Sequence, residues 1–291
     1  MKGRRSREPA PPFSAQALRA VERRGLSRRD WRDLYYALMT MPVSALLGLL
    51  AGIFALANLA FALLYFETGG IAGARPGDFG DDVFFSVQTL STTGYGVFYP
   101  KSLAANIIAS FEILGGLLGT ALATGMLFAR LSRPQARVLF SRIAVIHPRG
   151  GTDTLIFRVA NQRRNHITDA RMTVTITRDE TDEHGQSLRR LIDLPLERDR
   201  SPAFSLSWTV MHRITEQSPL HGLDVEAMLR ANIVLICMLN GIDDTLMATI
   251  VARHIYSPAD LRFGRRFADI FDRREDGSFA IDYTRFHETI D

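Results

Sequence analysis

The chain has 291 residues, and this length predicts two structural units that can each bury a core. Its single cysteine excludes an intrachain disulfide, and its seven scattered histidines offer no zinc-binding spacing. The formal net charge is +4, but most long apolar runs precede Leu131 and most of the remaining charge follows it. The sequence also contains no nucleophile elbow, phosphate-binding loop or dinucleotide fingerprint, so an enzyme is not predicted.

The N-terminal segment is basic. The first 33 residues hold ten Lys or Arg against four Asp or Glu, and residues 1–22 are predicted to be disordered. The apolar stretch that follows is too long and too late for a signal peptide. Four residues in the segment 28–38 recur at three- and four-residue spacing, namely Trp31, Leu34, Tyr35 and Leu38. This pattern predicts a helix lying along the membrane surface, and a soluble core helix is the alternative.

Two apolar segments are long enough to cross a membrane. Residues 41–66 form a run of 26 without a charged side chain, where about 20 are needed. A second run, 102–130, ends at Arg130 and contains one other ionisable residue, Glu112. Arginines cluster before the first run and after the second, which by the positive-inside rule predicts that both termini are cytoplasmic.

The segment between the two spans cannot be a simple external loop. Residues 83–90 form a short apolar helical pattern that cannot cross the membrane, so the chain must enter and return. Non-helical backbone at membrane depth is tolerated only where protein surrounds it or water lines it. A pore satisfies both conditions. We therefore predict a pore helix and its following loop at 82–96, within a pore domain at 23–134.

Beyond residue 134 the pattern changes to short alternating strands. The predicted strands are 172–177, 203–208 and 233–239, and the predicted turns are 182–185 and 240–243. No helices alternate with these strands, which favours a β-sandwich at 135–291 over a parallel sheet. Cys237 lies inside an apolar strand, so we expect a buried and unreactive thiol.

The motif Thr92-Thr93-Gly94-Tyr95-Gly96 directly follows the short re-entrant helix. It resembles a potassium-channel selectivity filter, in which backbone carbonyl oxygens from four chains replace the hydration shell of the ion. Carbonyls that all point one way need unusual backbone angles at alternate positions, which Gly94 and Gly96 adopt at little cost. Tyr95 is expected to wedge against the pore helix, and Thr92 to add its hydroxyl at the inner mouth. Because one loop supplies a quarter of each carbonyl ring, the motif predicts a homotetramer.

From about Arg28 onward the chain resembles the prokaryotic branch of the inward-rectifier potassium channels (KirBac-like). The segments that carry this resemblance are 84–89, 92–96, 129–134, 205–212, 218–222 and 252–256. The last three lie outside the pore and separate this family from other two-helix channels. The resemblance implies an interfacial slide helix, a gate at the cytoplasmic end of the second span, and an immunoglobulin-like cytoplasmic domain that extends the pore.

The resemblance also implies gate residues. When the chain is aligned on Pro134, the gate falls on Thr124 and Phe128, and a glycine hinge falls on Gly116. Thr120, Thr124 and Phe128 are four residues apart, so a helix presents them on one face. Four Phe128 rings at the axis would form an apolar constriction that closes by dewetting. Packing of Phe128 against a neighbouring helix is the alternative.

Two further features follow from the resemblance. A second constriction in the family lies in a cytoplasmic loop, which would here comprise Met247, Ala248, Thr249 and Ile250; these residues also fit a simple strand. Strongly rectifying relatives carry an acidic pore residue where this chain has Thr120. Tight block by intracellular polyamines is therefore not implied.

The filter needs a support that differs from that of eukaryotic relatives. Those relatives pair a glutamate with an arginine behind the filter, where this chain has Gln88 and Phe98. Glu112 is costly to bury in a membrane, and we expect it to face the pore helix as a filter support, with Gln88 as a second support; the ion path is the alternative for Glu112. Thr93 replaces the usual valine or isoleucine, which should preserve conduction but can alter the stability of the conducting state.

Basic side chains near the inner leaflet can each gain about 1 kcal/mol from anionic lipid. The candidates for this contact are Arg28, Arg29, Arg32, Arg130, Arg133 and Arg137. Membrane topology alone also explains these charges. The predicted partners are three further copies of the chain and anionic lipids, with phosphoinositide-type headgroups among them; K+ is the permeant ion, and no cofactor or nucleic acid is predicted.

The predicted location is the plasma membrane of a prokaryote. The alternative hypothesis is a membrane-tethered β-sandwich that senses a ligand and conducts no ion. That alternative predicts no need for the filter motif.

Overall fold

The computed structural model describes residues 34–132, 134–181 and 183–291. The chain divides into two compact units, and the second begins at Pro134. The first unit contains helices α1 Leu34–Thr40, α2 Val43–Thr68, α3 Phe79–Leu90 and α4 Leu103–Leu131, and strands β1 Ile71–Ala72 and β2 Tyr99–Pro100. The disorder predicted for 1–22 and the start of the predicted surface helix lie outside the described residues.

Helices α2 and α4 are long and apolar enough to span a membrane. With 26 and 29 residues they extend over roughly 39 and 44 Å, more than the roughly 30 Å of a bilayer's hydrocarbon. Both lie within two residues of the predicted spans. Helix α3 has 12 residues and extends over only about 18 Å, so it cannot cross.

The ends of the long helices follow from local sequence. Helix α2 ends at Gly69, whose φ of +62° stops the helix and whose N–H donates to the Tyr65 carbonyl. Helix α4 begins after Ser102, whose hydroxyl oxygen accepts a hydrogen bond from the Ala105 N–H at 3.1 Å. Strands β1 and β2 pair antiparallel and join the two ends of the segment between the spans.

The second unit is built mainly of strands; its described residues also form one short α-helix, α5 Val225–Arg230, and two 3-10 helices, Pro258–Asp260 and Tyr283–His287. The strands are β3 Val138–Phe140, β4 Ala144–Arg149, β5 Thr152–Asn161, β6 Ile167–Thr181, β7 Ser187–Asp193, β8 Arg200–Phe204, β9 Ser207–Arg213, β10 Val234–Asp243, β11 Ala248–Tyr256, β12 Leu261–Phe263, β13 Arg266–Phe267, β14 Phe271–Arg273, β15 Phe279–Ile281 and β16 Thr289–Ile290.

Two five-stranded sheets form the body of this unit. One has the order β11-β10-β6-β7 with β8 also paired to β6, and the other has the order β12-β4-β5-β3 with β9 also paired to β5. A single apolar core contains side chains from both sheets, among them Phe157, Ile176, Leu235 and Tyr256. Two sheets that share one core make a β-sandwich, so the predicted fold class is confirmed.

Cys237 lies in β10 and is completely buried in this core. Burial raises the pKa of its thiol, because the interior disfavours the thiolate. The predicted burial is therefore confirmed.

The predicted strand 203–208 is wrong. The chain leaves one sheet at the end of β8 and enters the other at the start of β9, so Ser205 and Leu206 form a crossover. Phe204 and Trp208 are both buried, with ring centroids 6.0 Å apart. Both rings face the same core from different sheets, so the alternation of apolar residues continues across the gap between β8 and β9. The end of one strand and the start of the next therefore cannot be seen in the sequence.

The predicted turn at 240–243 is also wrong, because β10 continues to Asp243 and the register shifts between Asn240 and Ile242. Gly241 lies at this bulge, and there is no space for a side chain because a Cβ would lie 2.5 Å from Cγ2 of Ile167. The turn instead follows Asp243. The predicted turn at 182–185 is present over its described residues, 183–185.

A buried histidine makes the stability of this unit depend on pH. Nδ1 of His212 lies 2.7 Å from the Pro195 carbonyl and must donate to it, so Nε2 accepts from the Ser218 hydroxyl at 2.8 Å. Burial lowers the pKa of His212 and outweighs the opposing hydrogen bond to Pro195. As the pH falls below about 6.5, the unfolded chain takes up this proton before the folded chain does, so stability falls with acidification.

We therefore expect the free energy of unfolding to be lower at about pH 5 than at neutral pH, and this dependence to weaken in His212→Gln. Urea unfolding followed by tryptophan fluorescence measures both. His254 has a pKa lowered by burial too, so some pH dependence remains in the variant. The exposed His221 provides the matched control, His221→Gln. A pH dependence that is the same in His212→Gln and wild type would contradict the assignment.

Candidate functional site

The pore helix α3 starts at a network of charged groups. Asp78 caps it, accepting the Gly80 N–H at 2.9 Å, and Asp81 and Asp82 lie in its first turn near the positive end of the helix dipole. The Arg75 guanidinium donates to both oxygens of Asp81, each at 3.0 Å. This bidentate pair and the Asp78 cap hold the start of the pore helix.

The motif residues are attached to the last turn of α3. The Thr93 and Gly94 N–H groups donate to the Gln88 carbonyl at 2.9 and 3.2 Å, and the Thr92 N–H donates to the Thr89 carbonyl at 3.0 Å. Gln88 thus contacts the predicted filter through its backbone. Its side-chain role as a support stays a prediction.

The backbone of the motif alternates in conformation. Thr92, Gly94 and Gly96 have φ values of +57°, +57° and +80°. The left-handed conformation at alternate residues is what a loop with its carbonyls on one side requires. The sequence predicts this conformation for the two glycines but not for Thr92, a β-branched residue in which it costs of order 1–3 kcal/mol.

Tyr95 is 75% exposed in the single chain, so the predicted wedge against a pore helix stays a prediction that needs a neighbouring copy. An exposed aromatic ring on a membrane-embedded loop is open to contact from another subunit.

A buried polar cluster lies behind the pore helix. The Tyr65 hydroxyl donates to Oε2 of Glu112 at 2.6 Å, and Ser86 Oγ lies 2.5 Å from Oε1 of Glu112 and 3.1 Å from Oδ1 of Asn58. All four side chains are buried. Glu112 therefore contacts the pore helix through Ser86, and the cluster joins α2, α3 and α4. Its role as a filter support stays a prediction.

The sequence points to Glu112 but not to its partners Tyr65, Ser86 and Asn58. Asn58 carried a usable signal, since an amide within an apolar span commonly bonds to a neighbouring helix. Phe98 packs beside the cluster against the apolar group of Tyr65, Phe85, Ala105 and Ala109. An apolar contact thus occupies the position where eukaryotic relatives are expected to carry a charge.

Gly116 marks a close contact between α4 and the pore helix. A Cβ at Gly116 would lie 2.1 Å from the Leu90 carbonyl oxygen, so only glycine fits. Helix α4 runs unbroken through this position. The close approach is a reason for glycine that sequence analysis did not consider, and the hinge role stays a prediction.

The predicted gate face is exposed in the single chain. Thr120 and Thr124 are exposed, and Phe128 is 71% exposed. Phe128 therefore does not pack against another helix of the described part of its own chain. These three side chains are available to line an axis formed with other copies.

The structure contradicts one residue of the predicted second constriction, and the rest stays a prediction. Met247 is 80% exposed at a turn, and Thr249 is exposed on β11. Ile250 is 2% exposed and belongs to the sandwich core, so its side chain cannot line a passage. Ala248 is half-buried between them.

The predicted lipid-contacting arginines are only partly described. Arg130 donates to the Leu38 carbonyl at 3.1 Å, which ties the end of α4 to α1, and Arg137 is exposed. Four of them lie outside the described residues: Arg28, Arg29, Arg32 and Arg133. Nothing in the structure tests lipid contact at any of the six.

Comparison with known proteins decides the family. Residues 138–291 match the model of the inward rectifier potassium channel C-terminal domain, and residues 49–133 match an ion channel model. The chain is 40% identical to the inward rectifier potassium channel Kirbac3.1 of Paramagnetospirillum magnetotacticum, over 92% of each chain. The chain belongs to the inward rectifier potassium channel family.

Eukaryotic proteins match over a shorter region. The human G protein-activated inward rectifier potassium channel 1 is 30% identical over 71% of this chain, which spans 43% of that relative's length. Among solved structures, Spo0M, a sporulation control protein from Bacillus subtilis, matches with a TM-score of 0.27 and 8% identity over 45% of this chain and 50% of that one. A score this low carries no argument about the fold.

The family settles the function at a coarse level. The chain is a subunit of an inward rectifier potassium channel and a membrane protein, and K+ is the permeant ion. The alternative of a membrane-tethered sensor without conduction is therefore wrong. The candidate filter, polar cluster and gate face all lie within the region matched by the ion channel model.

Proposed function

We propose that four copies of this chain form one pore, in which Thr92 to Gly96 of each copy hold dehydrated K+ ions by their backbone carbonyls. The observation that carries this proposal is the left-handed backbone at Thr92, Gly94 and Gly96, directly after the pore helix. Conduction is passive and selective for K+ over Na+. No catalytic step is involved.

The exposed surfaces of the single chain support assembly. Tyr95, Phe128 and most apolar residues of α2 and α4 are exposed. Lipid can cover the outer surface of a helix pair, but the filter loop carries non-helical backbone that must be enclosed by protein or water. A ring of four identical loops encloses it and completes each carbonyl ring.

The pore closes where α4 ends. Phe128 of each copy forms an apolar ring at the axis, and Thr124 and Thr120 continue the lining toward the filter, because all three share one face of α4. Met247, Ala248 and Thr249 form a second narrow passage in the cytoplasmic domain. Since the lining residue Thr120 is uncharged, polyamines block this pore weakly.

The termini lie in the cytoplasm of a prokaryotic cell, and the basic residues that flank the spans contact anionic headgroups of the inner leaflet. Arg130 supports this placement because its guanidinium keeps several donors beyond the one given to Leu38. The similarity to Kirbac3.1 over 92% of both chains supports the prokaryotic plasma membrane.

Rubidium uptake by liposomes that contain the purified protein tests conduction and the gate together. We expect uptake to be blocked by competing K+ but not by Na+, and Phe128→Ala to raise uptake because the apolar ring is lost. Leu122→Ala is the matched control, since Leu122 is equally exposed but lies on another face of α4. Uptake no greater than in empty liposomes, or a monomeric protein in mild detergent, would overturn the proposal. Unchanged uptake in Phe128→Ala would show that Phe128 is not part of the gate.

A further inference from the structure

The buried polar cluster behind the pore helix contains the carboxyl group of Glu112, which has no basic partner in the described part of the chain. Within the described residues the hydrogen-bond partners of Glu112 are two hydroxyl groups, those of Tyr65 and Ser86. Glu112 is 0% exposed within a single chain, so neither lipid nor a neighbouring subunit can reach it. An ionised carboxylate in this position would be buried in a membrane protein without a counter-charge.

Counting donors and acceptors identifies which atom carries each hydrogen. Nδ2 of Asn58 donates to the Phe54 carbonyl at 2.7 Å, which fixes the orientation of the amide and leaves Oδ1 facing Ser86 at 3.1 Å. Oδ1 can only accept, so the Ser86 hydroxyl must donate to it. The Ser86 hydroxyl has only one hydrogen, which it gives to Asn58. The Ser86 oxygen must therefore accept a hydrogen bond from Oε1 of Glu112. The hydrogen between these two oxygens therefore belongs to Glu112.

The other assignments each leave a buried group unpaired. If Glu112 is ionised, Ser86 donates to it and Oδ1 of Asn58 faces an oxygen without a hydrogen. If the Asn58 amide is flipped, its oxygen faces the Phe54 carbonyl oxygen instead. If Glu112 donates to Tyr65 through Oε2, the Tyr65 hydrogen loses its acceptor and Asn58 stays unpaired. A buried polar group without a partner is costly, and only one arrangement avoids it.

We propose that Glu112 is a neutral carboxylic acid in the folded channel at neutral pH, with its proton on Oε1 donated to Ser86, and that it acts as a positioning residue for the filter. A continuous chain of hydrogen bonds then runs from Tyr65 through Glu112 and Ser86 to Asn58 and on to the Phe54 carbonyl. The positioning role rests on the proposed conduction through Thr92 to Gly96, but the protonation state does not.

The position of Ser86 connects this chain of hydrogen bonds to the filter. Ser86 lies two residues before Gln88, whose carbonyl holds the Thr93 and Gly94 N–H groups. Fixing Ser86 from α2 and α4 therefore fixes the turn of α3 that carries the motif. A neutral acid does this without placing four negative charges behind the filter of a tetramer, where they would compete with the carbonyls for K+.

Infrared difference spectroscopy of the reconstituted channel tests the protonation state. The wild type minus Glu112→Gln spectrum, recorded at neutral pH in K+, should contain the C=O stretch of a carboxylic acid and no loss of carboxylate bands. Ser86→Ala should shift that band to higher frequency, because the acid loses its acceptor. A difference spectrum that contains only carboxylate bands would overturn the proposal, whether or not the protein conducts.

Rubidium uptake tests the positioning role. Glutamine at position 112 offers a donor to Ser86 and an acceptor to Tyr65, as the neutral acid does, so Glu112→Gln should keep uptake within about threefold of wild type. Glu112→Ala leaves the Tyr65 hydroxyl without its acceptor and the Ser86 oxygen without its donor, while the Ser86–Asn58 bond remains, and should lower uptake by about tenfold or more. Thr68→Ala is the control, since the Thr68 hydroxyl lies on an exposed face and donates to the Leu64 carbonyl one turn earlier.

The outcomes separate the two proposals. If Glu112→Gln and Glu112→Ala lose uptake equally and wild type shows the acid band, the positioning role is ruled out and the protonated state of Glu112 is supported. No uptake by any variant, wild type included, would overturn the proposed conduction and leave the infrared result to stand by itself.

Discussion

Replacing Gly94 by alanine is expected to abolish potassium-selective flux. Gly94 has a φ of +57°, which costs an L-residue with a Cβ about 1–2 kcal/mol. A ring of four such residues would therefore be strained by roughly 4–8 kcal/mol, and about 5.5 kcal/mol is enough to move a two-state equilibrium from 99:1 to 1:99. The effect is one of backbone strain, because among the described residues of a single chain no atom beyond the two neighbours of Gly94 lies within 4 Å of the added Cβ.

Rubidium uptake with K+ or Na+ as the competitor measures this loss. Gly48→Ala is the matched control: Gly48 lies inside α2 with equally open space around it, and alanine suits a helix better than glycine. A native gel should show the same oligomer for both variants, which separates filter strain from failure to assemble. Gly94→Ala channels that keep the wild-type preference for K+ over Na+ would contradict the assignment of this loop as the filter.

The elements of the pore could be predicted because their signals are local. A membrane span is an uninterrupted apolar run, and the filter is a motif directly after a short apolar helix. The structure places α2 and α4 within two residues of the predicted spans, and α3 begins three residues before the pore segment predicted at 82–96.

The contacts that assemble the site could not be predicted, because they join residues far apart in sequence. Tyr65 and Glu112 are separated by 47 positions, and Asn58 and Ser86 by 28. A single sequence gives the chemical type of each residue but not its neighbour across helices. Glu112 was recognisable as an expensive residue in a membrane, whereas Tyr65 and Ser86 are ordinary in such helices.

The wrong assignments in the cytoplasmic domain have a similar origin. The crossover at Ser205 and Leu206 preserves the apolar alternation because two sheets face one core, so pattern alone cannot reveal the break. Gly241 is of a residue type common in turns, but it lies in a bulge of β10 where that strand pairs with β6. Ile250 was assigned to a passage, although β11 turns its side chain into the core. In each case tertiary packing determined the structure.

Gly116→Ala is the second change from which we expect a large effect. The new Cβ would lie 2.1 Å from the Leu90 carbonyl oxygen and 3.0 Å from its carbon, whereas carbon–oxygen contacts of this kind are normally about 3.3 Å or longer. The atoms in the way are backbone, so the pore helix or α4 must move. Overpacking of this kind costs about 1–3 kcal/mol in each copy. Because Leu90 is the last residue of α3, the displacement reaches the filter directly, and we expect selectivity for K+ over Na+ to fall along with flux.

The neighbouring glycine is the control for this change. Apart from its two chain neighbours and the nearby backbone of α4 itself, no described atom of the chain lies within 4 Å of a Cβ added at Gly115, so Gly115→Ala should leave flux and selectivity close to wild type. If Gly116 is instead a hinge, Gly116→Ala should leave the filter intact and prevent the gate from opening, so flux should fall without a loss of selectivity. Combining Gly116→Ala with Phe128→Ala distinguishes the two, because the second change removes the apolar ring that limits flux. If the double variant recovers full flux with normal selectivity, Gly116 is a hinge; if selectivity stays low, the glycine is required because the pore helix packs against it.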